Sequence, residues 1–302
     1  MADTNKPAPD FLCIGMQKGG TRWIYDAMSQ MPGALMPPIK EFNHFAAMFG
    51  HKGSAYDVGK EFRRQVRKLD QTHAHVPGDL RAQFRIAVER YVASGSHEDY
   101  LSLFGMSKGL VTGDVSPAYS LLTESEVHAV RAVVPEARIV LTVRHPVSRA
   151  WSHFNMHLRL KLKREGVEKD RIQVEIVKRA RPDAFRAFLQ TDRVRALSQS
   201  SRVYDRWQQV FGNVVVLDFN EIVSDPTAVA ARLSQGLVGK PMREDEAPQI
   251  VNAKEKAAKA RMLPRHAQIA YTHFADEISR CRDRFAFAAA WQTEPDMVPA
   301  GG

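Results

Sequence analysis

The 302-residue chain has only two cysteines, Cys13 and Cys281, too few for a disulfide framework or a thiolate metal site. Cys13 falls in an apolar run, where a free thiol behaves as a small buried hydrophobe. No stretch approaches the roughly 18 consecutive apolar residues of a membrane span. The opening MADTNKPAPD lacks the apolar centre of a secretory leader, so a cytoplasmic location is expected. Internal repeats and low-complexity tracts are missing, which removes repeat arrays. So is a Walker A loop, G-x-x-x-x-G-K-[ST]. Acidic side chains are in short supply, 34 against 43 basic, for a formal charge of +9. That balance suits an anionic ligand, and would equally suit nucleic acid or an anionic surface. A composition of 44% hydrophobic and 25% charged residues is that of a soluble globular protein. The length allows one large α/β domain or two small ones.

What is present is organised around residues 11–23, FLCIGMQKGGTRW. Its apolar start reads as a short buried strand, and Thr21 opens an amphipathic helical run. A strand, a tight Gly loop and a helix N-terminus form an anion cradle of backbone N–H groups. Gly19 and Gly20 permit positive φ and close backbone approach, while Lys18 adds a mobile point charge. A second phosphate-type pattern comes after RIVLTV (138–143), the clearest buried parallel strand in the chain. In RHPVSRAWSHF (144–154), Pro146 suits the first helical turn, and Ser148 and Ser152 fall on successive turns. An Arg and a Ser hydroxyl converging beyond a strand's carboxyl end suit a phosphate monoester.

Between these lie two further segments. PPIKEFNHF (37–45) holds Glu41 between Lys40 and His44 in a loop restricted by two prolines. GDVSPAYS (113–120) is a strand end with an acid, a hydroxyl and a proline, a compact turn whose side chains can face a cleft. Helices are expected over 21–31, 60–100 with a break at 75–78, 204–211, 227–238 and 266–286. Strands are expected at 35–36, 110–113 and 214–217. Arg63, Arg64, Arg67, Lys68, Arg81, Arg85 and Arg90 read as a solvated face. Residues 159–181 carry nine basic and four acidic side chains, a run read as a solvated helix pair or mobile flap, or as an element guiding an anionic acceptor. Strands alternating with helices predict a central parallel sheet flanked by helices.

The chain resembles the sulfotransferases. Lys18, Gly20, Thr21 and Trp23 match their 5′-phosphosulfate loop, K-x-G-T-x-W. Arg144 and Ser152 match the 3′-phosphate site within R-[DNH]-P-x-x-R-x-x-S-x-[YF]. The segment from Pro37 is similar to P-x-x-K-E-x-x-x-F of carbohydrate-modifying members, and the stretch from His51 is similar to the residues behind that Glu in the same enzymes. Asp114, Ser116 and Tyr119 stand in for G-E-K-[ST]-P-x-Y, with Val115 in place of its Lys. Asp225-Pro226 fits a helix boundary of the family.

The resemblance implies a nucleotide-kinase-like, P-loop-related α/β fold; one domain is expected over 11–292, with flexible tails at 1–10 and 293–302. It implies 3′-phosphoadenosine-5′-phosphosulfate (PAPS) as donor and no required metal. Lys18, Gly19, Gly20, Thr21 and Arg22 would hold the 5′-phosphosulfate, Trp23 would stack on adenine, and Arg144 and Ser152 would hold the 3′-phosphate. Lys18 would stabilise the leaving phosphate, with Glu41 as general base and His44 the alternative. Lys40, Ser116 and Tyr119 would contact a small-molecule or carbohydrate acceptor, through O- or N-sulfation. Of the basic residues Lys254, Lys256 and Lys259, none carries the family's R-K-G signature. A P-loop kinase or NTPase, a nucleic-acid binder without a recognised module, and a non-catalytic nucleotide-binding relative are the rival readings; no nucleic-acid partner is expected. The sequence sets no oligomeric state.

Overall fold

A computed structural model describes residues 7–51, 78–107, 109–242 and 259–295. Arg63, Arg64, Arg67, Lys68, Lys254 and Lys256, and most of the stretch that starts at His51, lie outside the described residues.

The strands are β1 (Phe11–Gly15), β2 (Gly113–Val115), β3 (Arg138–Val143) and β4 (Val214–Asp218), in spatial order β2-β1-β3-β4. Helices α1 (Thr21–Gln30), α2 (His44–Met48), α3 (Gly78–Ser94), α4 (His97–Ser102) and α5 (Glu124–Val133) precede β3. After it come α6 (Pro146–Arg164), α7 (Ile172–Arg179), α8 (Pro182–Leu189), α9 (Asp192–Ala196) and α10 (Ser200–Phe211). β4 is followed by α11 (Phe219–Ser224), α12 (Pro226–Leu233) and the long α13 (Pro264–Arg284). Among the described residues no helix is long and apolar enough to cross a membrane.

Contacts divide the chain into two compact units. The first comprises Met1–Met16, Gly20–Thr142 and Tyr204–Ile250, and contains the central sheet. β1 is buried along its whole length and runs parallel to both neighbours, which pair Phe11 with Gly113 and Arg138, and Cys13 with Val115 and Val140. A strand buried on both faces has no polar alternation, which is why FLCIG reads as a continuous apolar run. α1 and α12 supply Trp23, Ile24, Ala27, Met28, Val229 and Leu233 to the core against Phe11, Cys13 and Val140. Each such large side chain contributes about 1.5–3 kcal/mol on burial. The capping box of α5, Thr123 with Glu126, is complete, and Glu126 also receives His51 Nε2 at 2.8 Å.

The second unit comprises Gln17–Gly19, Val143–Val203 and Val251–Gly302. Its core is formed by α6 with α7, α8 and α13, centred on Trp151, Phe154, Phe185, Phe188, Phe274 and Ile278. Pro146 occupies the first turn of α6, as its fixed φ favours. Glu277 of α13 is buried yet satisfied, accepting from Ser201 N–H at 2.9 Å and Ser201 Oγ at 2.8 Å.

Two expected strands differ. Residues 35–36 form no strand; Ala34 makes a single parallel bridge to Val111, because Pro37 and Pro38 end the pairing at once. The strand expected at 110–113 instead starts at Gly113 and runs to Val115.

Candidate active site

The loop after β1 is built from backbone constraints. Met16 N–H donates to Thr142 O at 2.9 Å, and Thr142 Oγ1 donates to Gly15 O at 2.8 Å, fixing where the chain leaves the sheet. Lys18 has φ 69° and Gly20 φ 105°. A Cβ at Gly20 would lie 3.3 Å from Ile222 and Phe219, so both conformation and space require glycine there. Gly20 caps α1 without a side-chain acceptor, which leaves first-turn N–H groups uncommitted to any cap.

In the second unit two guanidinium groups fasten this loop. Arg144 donates from Nη1 to Lys18 O at 3.1 Å and from Nε to Ser148 Oγ at 3.0 Å. Arg149 donates to Gln17 O at 3.4 Å and to Ser198 Oγ at 2.6 Å. With these two successive carbonyls drawn to arginines, the loop's N–H groups remain for an anion, the arrangement of a backbone nest. Burial pulls Arg144 down to about 10, and burial with the neighbouring Arg144 charge pulls Arg149 down to about 9. Arg149 is 1% exposed and its Nε has no hydrogen-bond partner. A buried cation of this kind is stabilised by an incoming anion. The residues present therefore fit a phosphate-bearing ligand.

In the first unit the segment bearing Glu41 is docked to the end of β2 by three consecutive N–H groups. Glu41 N–H reaches Val115 O at 3.2 Å, Phe42 N–H reaches the Asp114 carboxylate, and Asn43 N–H reaches Ser116 Oγ at 3.0 Å. Asp114 further accepts Ser116 Oγ and Tyr119 OH, each at 2.6 Å, and Tyr100 OH at 3.1 Å. Burial raises Asp114 to about 6 despite these donors. Glu41 and Asn43 both have positive φ, 64° and 53°. Each such residue costs about 1–3 kcal/mol unless its surroundings hold it. The Glu41 side chain points outward, 43% exposed, with Lys40 Nζ 3.3 Å away.

The other expected site residues have diverse surroundings. Thr21 is buried at the start of α1, and Arg22 is exposed, gripping Asp26 at 2.7 and 2.8 Å. Trp23 is 5% exposed within the core and offers little ring face for stacking. His44 is buried, with Tyr91 OH 3.0 Å from Nδ1 and His97 Nδ1 2.8 Å from Nε2, and it stacks on Tyr100 at 4.2 Å. Burial, aided by His97, drives its pKa down to about 3. Ser116 and Tyr119 are fully enclosed around Asp114, so they support the Glu41 segment and have no surface for an acceptor. Ser148, with His145, Arg261 and Tyr271, lines a cavity of about 640 Å³; Ser152, one turn on, is half-buried and outside it. Lys259 carries its carbonyl to Gln173 at 3.1 Å. Sequence reading overlooked Arg149 and Arg261. Arg149 is the second Arg of the R-x-x-x-x-R spacing, and Arg261 lies two residues beyond the lysine-rich segment.

Comparison with known proteins adds the family. The chain matches the sulfotransferase family over residues 9–238 and belongs to it. A solved sulfotransferase from Alicyclobacillus acidocaldarius is similar at 23% identity, covering 92% of this chain and 96% of that one, with a TM-score of 0.58. The sulfotransferase domain of the Synechococcus PCC 7002 olefin synthase aligns at 14% identity over 89% of this chain and 96% of its own, with a TM-score of 0.46. The former likeness agrees with the P-loop-like α/β sulfotransferase fold, a central parallel sheet flanked by helices. Among curated proteins no match was found.

Proposed function

We propose that the chain transfers a sulfuryl group from PAPS to a hydroxyl of a small acceptor, for which the segment from Pro37 to Phe45 implies a carbohydrate. The observation that carries this reading, within the family, is the loop whose carbonyls at Gln17 and Lys18 are held by Arg149 and Arg144. PAPS supplies a sulfuryl group already activated on a phosphate leaving group. Lys18 and the loop N–H groups receive the 5′-phosphosulfate and stabilise charge that grows on the leaving oxygen. Arg144 and the hydroxyls of Ser148 and Ser152 hold the 3′-phosphate, with Arg261 as a further cation for it. Glu41 takes the acceptor proton as the new O–S bond forms and the S–O bond to the 5′-phosphate breaks. The products are a sulfate ester and 3′-phosphoadenosine-5′-phosphate (PAP). Glu41 is preferred to His44 because its carboxylate is exposed, whereas both His44 nitrogens are engaged in the interior. Trp23 contributes packing.

Titration calorimetry with PAP, AMP and ATP–magnesium tests the donor. Tight binding that requires the 3′-phosphate is expected, and preference for ATP–magnesium would replace this reading with a kinase. Arg144→Ala should weaken PAP about 10- to 100-fold, the scale of a charge-assisted hydrogen bond, and weaken AMP less, because AMP loses only the fastening of the Lys18 carbonyl and no 3′-phosphate contact. Glu41→Gln should lower turnover roughly 10²–10⁴-fold with PAP affinity intact.

A further inference from the structure

A row of nitrogenous side chains runs along one face of α6: Arg149, His153, His157 and Lys161, each four residues from the last. Its two ends, Arg149 and Lys161, are cationic, and burial lowers both imidazoles between them, so these offer ring nitrogens as neutral hydrogen-bonding groups. Three of its members line a cavity of about 600 Å³, a volume within the range of small-molecule sites. Arg193 of α9 adds a fourth nitrogenous group, and no Asp or Glu is among the lining residues. The apolar wall includes Phe154 and Phe188, and Phe188 meets the His153 ring edge-on at 5.1 Å and the His157 ring at 5.3 Å.

His153 is the unsatisfied group. It is 8% exposed, and its Nδ1 is enclosed without a hydrogen-bond partner. Leaving such an atom unpaired is unfavourable, and native proteins do so where a ligand or water completes the set. Burial comes first in holding this imidazole neutral, with a pKa of about 3, and the charges of Arg149, His157, Lys18 and Arg193 add to it. The inner part of the cavity thus lies in the field of Lys18. A basic helical face is ordinarily a solvated one, but solvation explains neither an enclosed orphan imidazole nor an aromatic wall.

The geometry points to this cavity as the acceptor's anion-recognising subsite. It takes an organic acid with an apolar body, which packs on Phe154 and Phe188, while Lys161, Arg193 and the two imidazoles receive the anionic end. This inference rests on the sulfuryl-transfer reading for the word acceptor, and it sets an acid with an apolar body in place of the carbohydrate that the Pro37–Phe45 resemblance implies. Binding itself is independent of transfer, so the two are separable.

The test uses the full chain and three acid–amide pairs: phenylacetate with phenylacetamide, 2-naphthoate with 2-naphthamide, and hexanoate with hexanamide. Calorimetry should show at least one acid binding tenfold or more tighter than its amide. The double variant Lys161→Ala/Arg193→Ala changes two exposed side chains and should abolish that preference. His153→Gln should weaken the acid with thermal stability near that of the parent. Equal affinity within every pair, no binding of any acid, or an unchanged preference in the double variant overturns the subsite. In a transfer assay, 4-hydroxyphenylacetate should exceed 4-hydroxyphenylacetamide in kcat/KM by a similar factor. If acids bind as expected but PAPS gives no sulfate ester, the subsite stands and the transfer reading fails. If neutral alcohols or sugars are sulfated as well as acids, transfer stands and the subsite fails.

Discussion

Asp114 has the most consequential surroundings of any single residue. Its carboxylate receives the Phe42 N–H and the hydroxyls of Ser116, Tyr119 and Tyr100. Through Ser116 it also governs the acceptor for Asn43 N–H, so the residues flanking Glu41 depend on it from both sides. Asn at this position is close in shape but brings an amide N–H against donors. One contact becomes donor against donor, and the rest lose the strength that a charged acceptor gives. Asp114→Asn should therefore cost about 2–4 kcal/mol in urea unfolding, the scale of breaking a buried polar network. It should also lower kcat at least tenfold while PAP affinity, which depends on another part of the chain, holds. Tyr119→Phe removes one donor and should cost less, about 1.5–3 kcal/mol. Equal kcat for Asp114→Asn and the parent would mean the network only stabilises the fold.

At the scale of elements, Gly20 in the β1–α1 turn and Gly212 after α10 give a comparison of two left-handed glycines. Gly212 ends α10 with φ 78° and nothing within 4 Å of an added Cβ, so Gly212→Ala should cost about 1–2 kcal/mol, the price of the conformation alone. Gly20 combines φ 105° with Ile222 and Phe219 at 3.3 Å. Gly20→Ala should cost more than Gly212→Ala and should weaken PAP at least tenfold, because relief of the contact moves the loop. Thermal melts of both variants with and without PAP check this. Much of this architecture is legible in the sequence: RIVLTV has one reading as a buried strand, and Pro146 marks a helix start. What a motif does not give is the direction of a side chain. Trp23 matches the family's aromatic by order, yet it lies on the apolar stripe of α1 with Ile24, Ala27 and Met28, and that stripe faces the core. Ser116 and Tyr119 read as acceptor contacts in the sequence because their partners are remote: Asn43 is 73 residues from Ser116. Arg149 stands at the second Arg of the quoted motif, but its use, holding the Gln17 carbonyl 132 residues away, is not visible in that pattern.

For the molecule as a whole, buried titratable groups set the pH dependence of stability. His44 and His153 are each held near 3 by burial, well below the ordinary histidine value of 6.5. Between those values the unfolded chain binds protons that the folded chain refuses, so stability present above pH 6.5 is lost as pH falls towards 3. Asp114 acts in the opposite sense, because its carboxyl is raised from 3.8 to about 6. Its contribution is fully present below pH 3.8 and is lost as pH rises through 6. Each group that is titrating in one state only contributes a slope of about 1.4 kcal/mol per pH unit. Between about pH 4 and 6 two histidines oppose one aspartate, so this trio leaves a net loss of about 1.4 kcal/mol per unit of acidification. Carboxylates held below their ordinary range, Asp99 and Glu126 among them, add to acid sensitivity but are common to parent and variant. His44→Asn isolates one histidine. Its absolute stability should fall, since two hydrogen bonds and a ring stack are lost. Its stability should nevertheless decline less steeply from about pH 6 to pH 4, by about 1.4 kcal/mol per unit relative to the parent. Urea unfolding at half-unit steps measures both quantities at once. Parallel pH profiles for parent and variant would show that His44 is protonated in the folded chain, and with it the argument that this residue is too deeply enclosed to compete with Glu41 as a base would fall.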